Sequence, residues 1–567
     1  MSSLPRNDEL ADQLELLADL SELEGESSFR VLAYRRAATR IRETGGPVAQ
    51  LALDGRAKSL TGIGATIEGK IVEVIELGEM KALTKRKALV PEEVVKFMRL
   101  PGLGPKTARR IWQELGVTTL EELKAAAQGE RLRELAGLGA TTEAKILKAL
   151  AETPQDPRES RRLLGAGLPA VLAVVSVLRE HPAAVKVSEA GSVRRRRETF
   201  RDLDIIATST DAPALIDYFT KLRWVADVVA KGATKATVIS NDGLRFDLRV
   251  VPPESYGNLL QHFTGSKEHN VALREDAVRR GFSVSEYGIT TTETGEIFSA
   301  EDEEAVYEHL GYAFIAPELR ENGGELAAAR EGTLPALVER ADLRGDLHSH
   351  STWSDGKATV EEMALAAQEL EHDYLAMCDH SQRLRESRLE HQWEEIDALN
   401  ERLAPFRILK GIEVNIRANG ELDLADELLA QLDWVMASVH SSFENDPTGR
   451  VLAAMENPHV DCIGHLTSRK IGKRNPSTIA VERVVEGALA TGTFLELNSQ
   501  PDRLDLRDAN ARLAGEAGLT LVVSSDGHST GALGYVELGI AQARRAWLSK
   551  EQILNTRPWT EIEQLLK

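Results

Sequence analysis

Nine residues of the kinds that ligate divalent metals lie in the C-terminal part of the chain: His348, His350, Asp355, His380, Glu413, His440, His465, Asp526 and His528. Most stand at the end of an apolar run. Tyr-Leu-Ala-Met-Cys-Asp precedes His380, Trp-Val-Met-Ala-Ser-Val precedes His440, and Leu-Val-Val-Ser-Ser precedes Asp526. A row of buried strands, each delivering an imidazole or carboxylate from its end, is how a barrel assembles a multinuclear centre. Imidazole and carboxylate without thiolate favour Zn, Mn or Fe over a cysteine-built structural zinc. Local hydrogen bonding would account for any one of these residues; the nine together point to metal.

A second cluster comes earlier. Gly191-Ser192-Val193-Arg194-Arg195 reads as the end of a strand and the start of a cationic turn, followed by Asp202-Leu203-Asp204 and later by Arg245-Phe246-Asp247-Leu248. Residues two apart on a strand share a face, so Asp202 and Asp204 approach the same ions, and Asp247 on a neighbouring strand supplies a third carboxylate. Three acids beside a Gly-Ser turn and clustered arginines suit two Mg²⁺ ions bridging a triphosphate. One ion would activate a primer 3′-hydroxyl and the other would hold pyrophosphate. A solvated edge strand of alternating charge would have no use for the Gly-Ser-x-Arg-Arg turn.

The elements that position these groups differ along the chain. Residues 1–150 read as helix after helix, amphipathic and broken by short glycine turns. Three turns resemble one another: Leu-Thr-Gly62-Ile-Gly64, Leu-Pro-Gly102-Leu-Gly104 with Lys106, and Leu-Ala-Gly137-Leu-Gly139. Each opens a helix and is followed by Lys or Arg. Such turns expose backbone N–H groups at a helix N-terminus, a ready phosphate site. They resemble the helix-hairpin-helix motif, which grips the DNA backbone without reading sequence. From about residue 160, short β-like runs appear (Val185–Ala190, Asp204–Ala207, Ala236–Ile239, Phe246–Val251). Residues 315–340 are polar, with Pro and Gly, and read as a linker. From Arg344 strand and helix alternate, which suggests an α/β barrel.

At 567 residues the chain is too long for one core and should hold three or four domains. Its 42% hydrophobic and 28% charged content are those of a soluble globular protein. No run of about 18 apolar residues and no N-terminal signal pattern is present. Two cysteines, Cys378 and Cys462, exclude a disulfide framework and fit a cytoplasmic protein. The net charge of −20 is unevenly spread. Residues 1–150 carry 23 Lys and Arg against 22 Asp and Glu, residues 151–340 carry 23 against 30, and residues 341–567 carry 23 against 37. The acid gathers where a metal centre needs it, and the total excludes no DNA partner.

Gly191-Ser192-x-Arg194-Arg195 with Asp202-x-Asp204 resembles the nucleotidyltransferase signature of family X DNA polymerases. Phe263-Thr264-Gly265-Ser266, followed by Asn270 and Arg274, resembles the segment that in this family holds the sugar and minor-groove edges of the nascent pair. The His/Asp/Glu series resembles the PHP (polymerase and histidinol phosphatase) domain. The order of the three parts matches bacterial and archaeal family X polymerases (PolX), and the resemblance covers essentially the whole chain.

This resemblance implies a multidomain α and α/β fold: N-terminal helical helix-hairpin-helix domains, an α+β nucleotidyltransferase core and a C-terminal PHP distorted (β/α)7 barrel. The implied boundaries are an 8-kDa-like helical domain at 1–90, a fingers-like helical domain at 91–155, a palm at 156–250, a nascent-pair subdomain at 251–316, the linker at 317–340 and PHP at 341–567. Asp202, Asp204 and Asp247 would ligate the polymerase Mg²⁺. Gly191, Ser192, Arg194 and Arg195 would contact the triphosphate, and Phe263, Gly265, Ser266, Asn270 and Arg274 the nascent pair. Lys70 falls where the beta-type enzyme has its Schiff-base lysine for 5′-deoxyribose phosphate removal. The nine C-terminal ligands would hold two or three Mn²⁺ or Zn²⁺ ions for a 3′–5′ exonuclease, with His440 or His465 ligating or donating a proton. Arg469, Lys470, Lys473 and Arg474 could hold the nucleic-acid backbone. Two positions depart from the family pattern: Arg201 replaces a glycine and His262 an aromatic tyrosine. The expected protein is a monomeric repair enzyme acting on gapped or primer-template DNA with dNTP, and not on membranes. The alternatives are a small-molecule phosphatase and a DNA-end-binding scaffold with a silent polymerase core.

Overall fold

The computed structural model describes residues 4–566 except 6, 45–47, 61, 101–102, 136, 153–160, 385 and 444. The chain divides into two compact units, 1–157 and 158–567.

The first unit is helical. Leu10, Leu14 and Leu17 recur at helical spacing on Asn7–Glu24 and are fully buried, with Phe97 and Ile111 in the same core. The two helices with complete glycine-turn entries are Ala65–Leu77 and Ala140–Glu152. Gly62 and Gly137 have φ of +90° and +89°, in the left-handed region that favours glycine. Between the glycines of each pair one apolar residue is buried: Ile63, Leu103 and Leu138. It pins the turn and leaves Gly64, Gly104 and Gly139 exposed at the helix entrances. Gly102 lies outside the described residues.

The second unit opens with a five-stranded sheet in the order Ala184–Glu189, Asp202–Ser209, Arg245–Val251, Lys235–Ser240, Val225–Lys231. Asp202–Ser209 and Arg245–Val251 run parallel, and the other pairs are antiparallel. Sequence patterning does not announce the edge strand Val225–Lys231, because its residues are almost all exposed and no alternation forms. Helices Tyr256–Thr264 and Lys267–Arg279 and a small antiparallel sheet follow.

The stretch 317–340, expected to be a linker, is folded and packed. It holds a 3-10 turn, Pro317–Leu319, and a helix, Glu325–Glu331. The buried Arg320 guanidinium donates to Glu303 (2.5 Å) and to the Ile315 carbonyl (2.9 Å). Stranding one charge of such a buried pair costs about 3–5 kcal/mol. Polar residues here satisfy one another inside the protein, which composition alone reads as solvation.

The C-terminal barrel is a seven-stranded parallel sheet in sequential order, from Gly345–Ser349 to Leu521–Ser524. It closes where Ser349 pairs with Gly527 and the His350 amide donates to the Gly527 carbonyl. Its strands Gly345–Ser349, Tyr374–Met377, Trp434–Ser438 and Leu521–Ser524 are buried throughout, as strands covered on both faces are, and the last three are mostly apolar. Barrel and five-stranded sheet share a core: Leu504 and Leu538 join Leu164, Val171 and Phe200. Among the described residues no helix is long and apolar enough to cross a membrane.

Candidate active sites

In the five-stranded sheet, Asp204 and Asp247 are direct partners across parallel strands, and Asp202 precedes Asp204 on the same face. Burial raises the Asp204 carboxyl to about 7, with Asp202 and Asp247 pushing the same way. Three acids that repel one another on one face form a site built to receive cations. Gly191 sits over it with φ +63°. A Cβ there would lie 2.2 Å from Asp204 Oδ2, so any larger residue displaces the carboxylate. Asp247 also accepts hydrogen bonds from Thr237 Oγ1 and Arg245 Nε.

The neighbouring side chains divide by partner. Arg195 stays beside the acids, its Nε 3.1 Å from Glu321 and its Nη1 donating to the Thr264 carbonyl. Arg194 departs from expectation: its guanidinium donates to Thr264 Oγ1 (2.6 Å) and Glu303 Oε2 (2.5 Å). With both ends engaged it braces the turn against the following helices. Ser192 is half-buried next to Gly191. Ser266 caps helix Lys267–Arg279 by accepting from the His269 amide. Asn270 and Arg274 converge on His262: Asn270 Nδ2 donates to its carbonyl (2.7 Å), and Arg274 Nη2 lies 2.9 Å from its Nδ1. Gly265 lies between Arg195 and Asn270. Arg201 is 71% exposed and pairs with Asp202 at 3.7 Å, at the rim of the site. Sequence reasoning missed Arg249, which stacks on Phe263 at 4.3 Å and faces the acids. Its signal was the alternation Arg245-x-Asp247-x-Arg249.

At the barrel, Glu413 is the hub. Its carboxylate lies 2.9 Å from His380 Nδ1, 3.1 Å from His465, 3.3 Å from His440, 3.6 Å from His348 and 3.7 Å from His350. Burial works against its charge, but these imidazoles hold it well below the usual carboxylate range. Asp526 Oδ1 stands 3.2 Å from His350 Nε2, and Asp355 lies 3.4 Å from His528 and 3.6 Å from His380. Ligand atoms fall into three overlapping groups, each within 4.8 Å: His350, Asp355, His380 and His528; His348, His350 and Glu413; and His380, Glu413 and His440. Shared members are what a multinuclear centre needs. His350 and His465 point Nε2 at Glu413 and Asp526, and their buried Nδ1 atoms have no hydrogen-bond partner among the described residues.

Several residues that orient these ligands escaped the sequence reading. Glu496 Oε1 bonds His348 Nδ1 (2.7 Å) and turns Nε2 inward. Asn415 Oδ1 does the same for His440 Nδ1 (2.7 Å), and the Asp526 carbonyl for His528 Nδ1 (2.8 Å). Asp379 accepts from Ser351, Ser354 and Gln392 and fixes the loop after His350. The signal for Glu496 was a lone acid in the apolar strand Phe494–Asn498. Seven of the nine candidate ligands, all but His348 and His350, line a cavity of about 420 Å³ whose wall also includes Lys357, Lys470, Gln500, Arg503 and Tyr535. The basic loop after His465 differs from expectation. Arg469 is buried and bonds Glu198, Lys470 pairs with Asp502, and Arg474 lies over the Phe443 ring. Tertiary partners consume these charges; Lys473 alone of the four is exposed.

In the helical unit, Lys106 is exposed on the first turn of Pro105–Leu115. Lys70 is half-buried on Ala65–Leu77, its ammonium 6.0 Å from the Tyr34 ring centre.

Known families match each part. A helix-hairpin-helix domain matches residues 5–80, a SAM-like helix-hairpin-helix tandem 95–152, the DNA polymerase beta thumb 259–321 and the PHP domain 346–500. The DNA polymerase/3′-5′ exonuclease PolX of Bacillus subtilis (strain 168) is 40% identical over 98% of both chains. The chain belongs to the PolX family. Shorter relatives, the probable phosphatases of Thermoanaerobacter sp. and Acetivibrio thermocellus, are 31% and 30% identical and cover 37% of this chain. They are similar to a part of the chain alone, whereas the PolX alignment spans both sites. In PolX terms, the packed stretch 317–340 begins within the thumb match.

Proposed function

We propose that the protein is a bifunctional DNA repair enzyme that fills short gaps and trims 3′ ends at two separate metal centres. One observation carries this reading: three carboxylates on paired strands and nine clustered His, Asp and Glu side chains at a barrel mouth lie in one packed unit of a PolX-family chain.

At the polymerase centre, Asp202, Asp204 and Asp247 would hold two Mg²⁺ ions, which when bound activate a 3′-hydroxyl and neutralise pyrophosphate. Gly191 and Ser192 bring backbone N–H groups close to the triphosphate, and Arg195 supplies a guanidinium. Phe263, backed by Arg249, and Gly265 face the incoming sugar. Asn270 and Arg274, converging on His262, face the minor groove. The glycine turns at Gly62–Gly64, Gly102–Gly104 and Gly137–Gly139 grip the backbone of gapped DNA, with Lys106 adding charge.

At the barrel, His348, His350, Asp355, His380, Glu413, His440, His465, Asp526 and His528 would hold two or three Mn²⁺ or Zn²⁺ ions, which when bound supply a nucleophilic water and neutralise the phosphate. His465 and His440 both stand beside Glu413, 2% and 25% exposed, and the Asn415 bond to His440 Nδ1 leaves its Nε2 for ligation. Arg503 lines the same cavity, its nearest described carboxylate being Asp526 at 3.7 Å. We assign its guanidinium to the scissile phosphate. Arg503→Ala lowers exonuclease kcat by about 100-fold with extension unchanged, measured on a labelled primer. An unaltered exonuclease rate would discard that assignment.

The test of the whole reading is a 5′-labelled gapped duplex incubated with and without dNTP, in Mg²⁺ and then Mn²⁺. Longer products with dNTP and shorter ones without it are expected. No change under any condition leaves the scaffold alternative.

A further inference from the structure

The barrel reaches into the polymerase core through a buried ionic cluster that neither centre's chemistry requires. Arg545 ends the barrel helix Val536–Arg545 and is 4% exposed. Its Nε and Nη2 donate to Asp508 Oδ2, at 3.0 and 2.6 Å, on the neighbouring barrel helix Asp508–Glu516. Its Nη1 donates to two acceptors in the core: Glu321 Oε1 (3.0 Å) and the backbone carbonyl of Arg195 (2.9 Å). The same Glu321 oxygen accepts from Arg195 Nε at 3.1 Å, and Arg197 stands 3.8 Å from the other oxygen. Arg195 is thus held at its carbonyl by the barrel and at its guanidinium by an acid that the barrel also grips.

Adhesion between barrel and core is supplied elsewhere. Leu504 and Leu538 complete the hydrophobic core beneath Phe200, Pro501 packs on Gly165, and Arg469 pairs with Glu198. Arg545 does something these contacts do not: it fixes the backbone of the turn Gly191–Arg197 from behind. It also solves a charge problem. When Arg195 swings to a triphosphate, Glu321 loses one of its two close cations, and without the other it would be left buried and unpaired, a costly state. Because Arg545 binds the same oxygen, Glu321 stays neutralised and Arg195 can leave.

We propose that Arg545, held by Asp508, is a positioning residue for nucleotide addition, so that the exonuclease barrel sets the dNTP affinity of the polymerase centre. This rests on reading Gly191–Arg195 as the triphosphate turn. The test compares wild type, Arg545→Ala, Arg545→Lys and Asp508→Asn, all as full-length protein on one gapped duplex. The dNTP KM of Arg545→Ala rises about tenfold, kcat falls less, and Arg545→Lys recovers part of the loss. Exonuclease on the same primer stays within about twofold of wild type, since Arg545 touches none of its ligands. A dNTP KM unchanged in Arg545→Ala overturns the proposal. So does a parallel fall of both activities in Arg545→Ala, Arg545→Lys and Asp508→Asn, which would make the contact a structural clasp only. Absence of extension by the wild type would refute instead the polymerase reading, which separates the two failures.

Discussion

Asp202→Ala combined with Asp204→Ala lowers primer extension by about 10³-fold or more and leaves exonuclease within about twofold of wild type. The two acids share a face with Asp247, and together they are two of its three clustered carboxylates. The barrel ligands belong to a different sheet, so their rate has no reason to change. Stability should move the other way from activity. Burial and two like-charged neighbours already raise Asp204 to about 7, so the cation-free site stores repulsion. A carboxyl whose folded pKa is raised stabilises the fold below its unfolded pKa and loses that contribution as pH rises through the folded value. The double variant therefore melts no lower than wild type at pH 8 in chelator, and the gap narrows at pH 5. Thermal melts at the two pH values, run beside the extension assay, check both halves. Extension surviving in the double variant would show that nucleotide addition does not use these carboxylates.

Glu413→Gln lowers the exonuclease rate by about 10³-fold or more and spares extension. The substitution keeps the shape and removes a carboxylate that stands within 3.7 Å of five imidazoles, His348, His350, His380, His440 and His465. Its effect on the metal-free fold is opposite in sign to that of the aspartate pair. Glu413 is held charged by attraction to its imidazoles, which outweighs the burial that works against its charge, and it is not strained by repulsion. Removing one partner of such a buried cluster destabilises by about 3–5 kcal/mol. The variant should melt below wild type in chelator and recover less when Mn²⁺ is added. A melting curve with and without Mn²⁺, with a gel assay of 3′ trimming, reads both. Loss of extension together with trimming would contradict two independent centres.

The candidate ligands were legible because mostly apolar strands lead into them: His380, His440 and Asp526 each come shortly after such a run, and all three line one cavity at the barrel mouth. Asp202, Asp204 and Asp247 were legible by the two-residue period of a strand, and Asp204 and Asp247 stand in register. Side chains that act through another residue were not. Glu496 and Asn415 aim imidazoles from strands far away in sequence, and Arg503 enters the cavity from an irregular loop with no periodicity. The charged stretches misled for the same reason. Arg469 and Lys470 look free to hold a nucleic-acid backbone until Glu198 and Asp502 are beside them, and the polar run 317–340 looks like a linker until Arg320 meets Glu303.

The amino-acid order by itself determined which chemistry is present: which residues can ligate, which turns can cradle phosphate, and how the strands and helices alternate. Those properties follow from local geometry, in which neighbours along the chain decide what faces where. Tertiary structure decided which charges remain available for that chemistry. Arg194 and Arg469 are spent on partners more than 65 residues away, while Arg503 and Arg249 are left facing the two sites. A charge is neutralised by whatever lies within a few ångströms of it, and only the folded chain sets that neighbourhood.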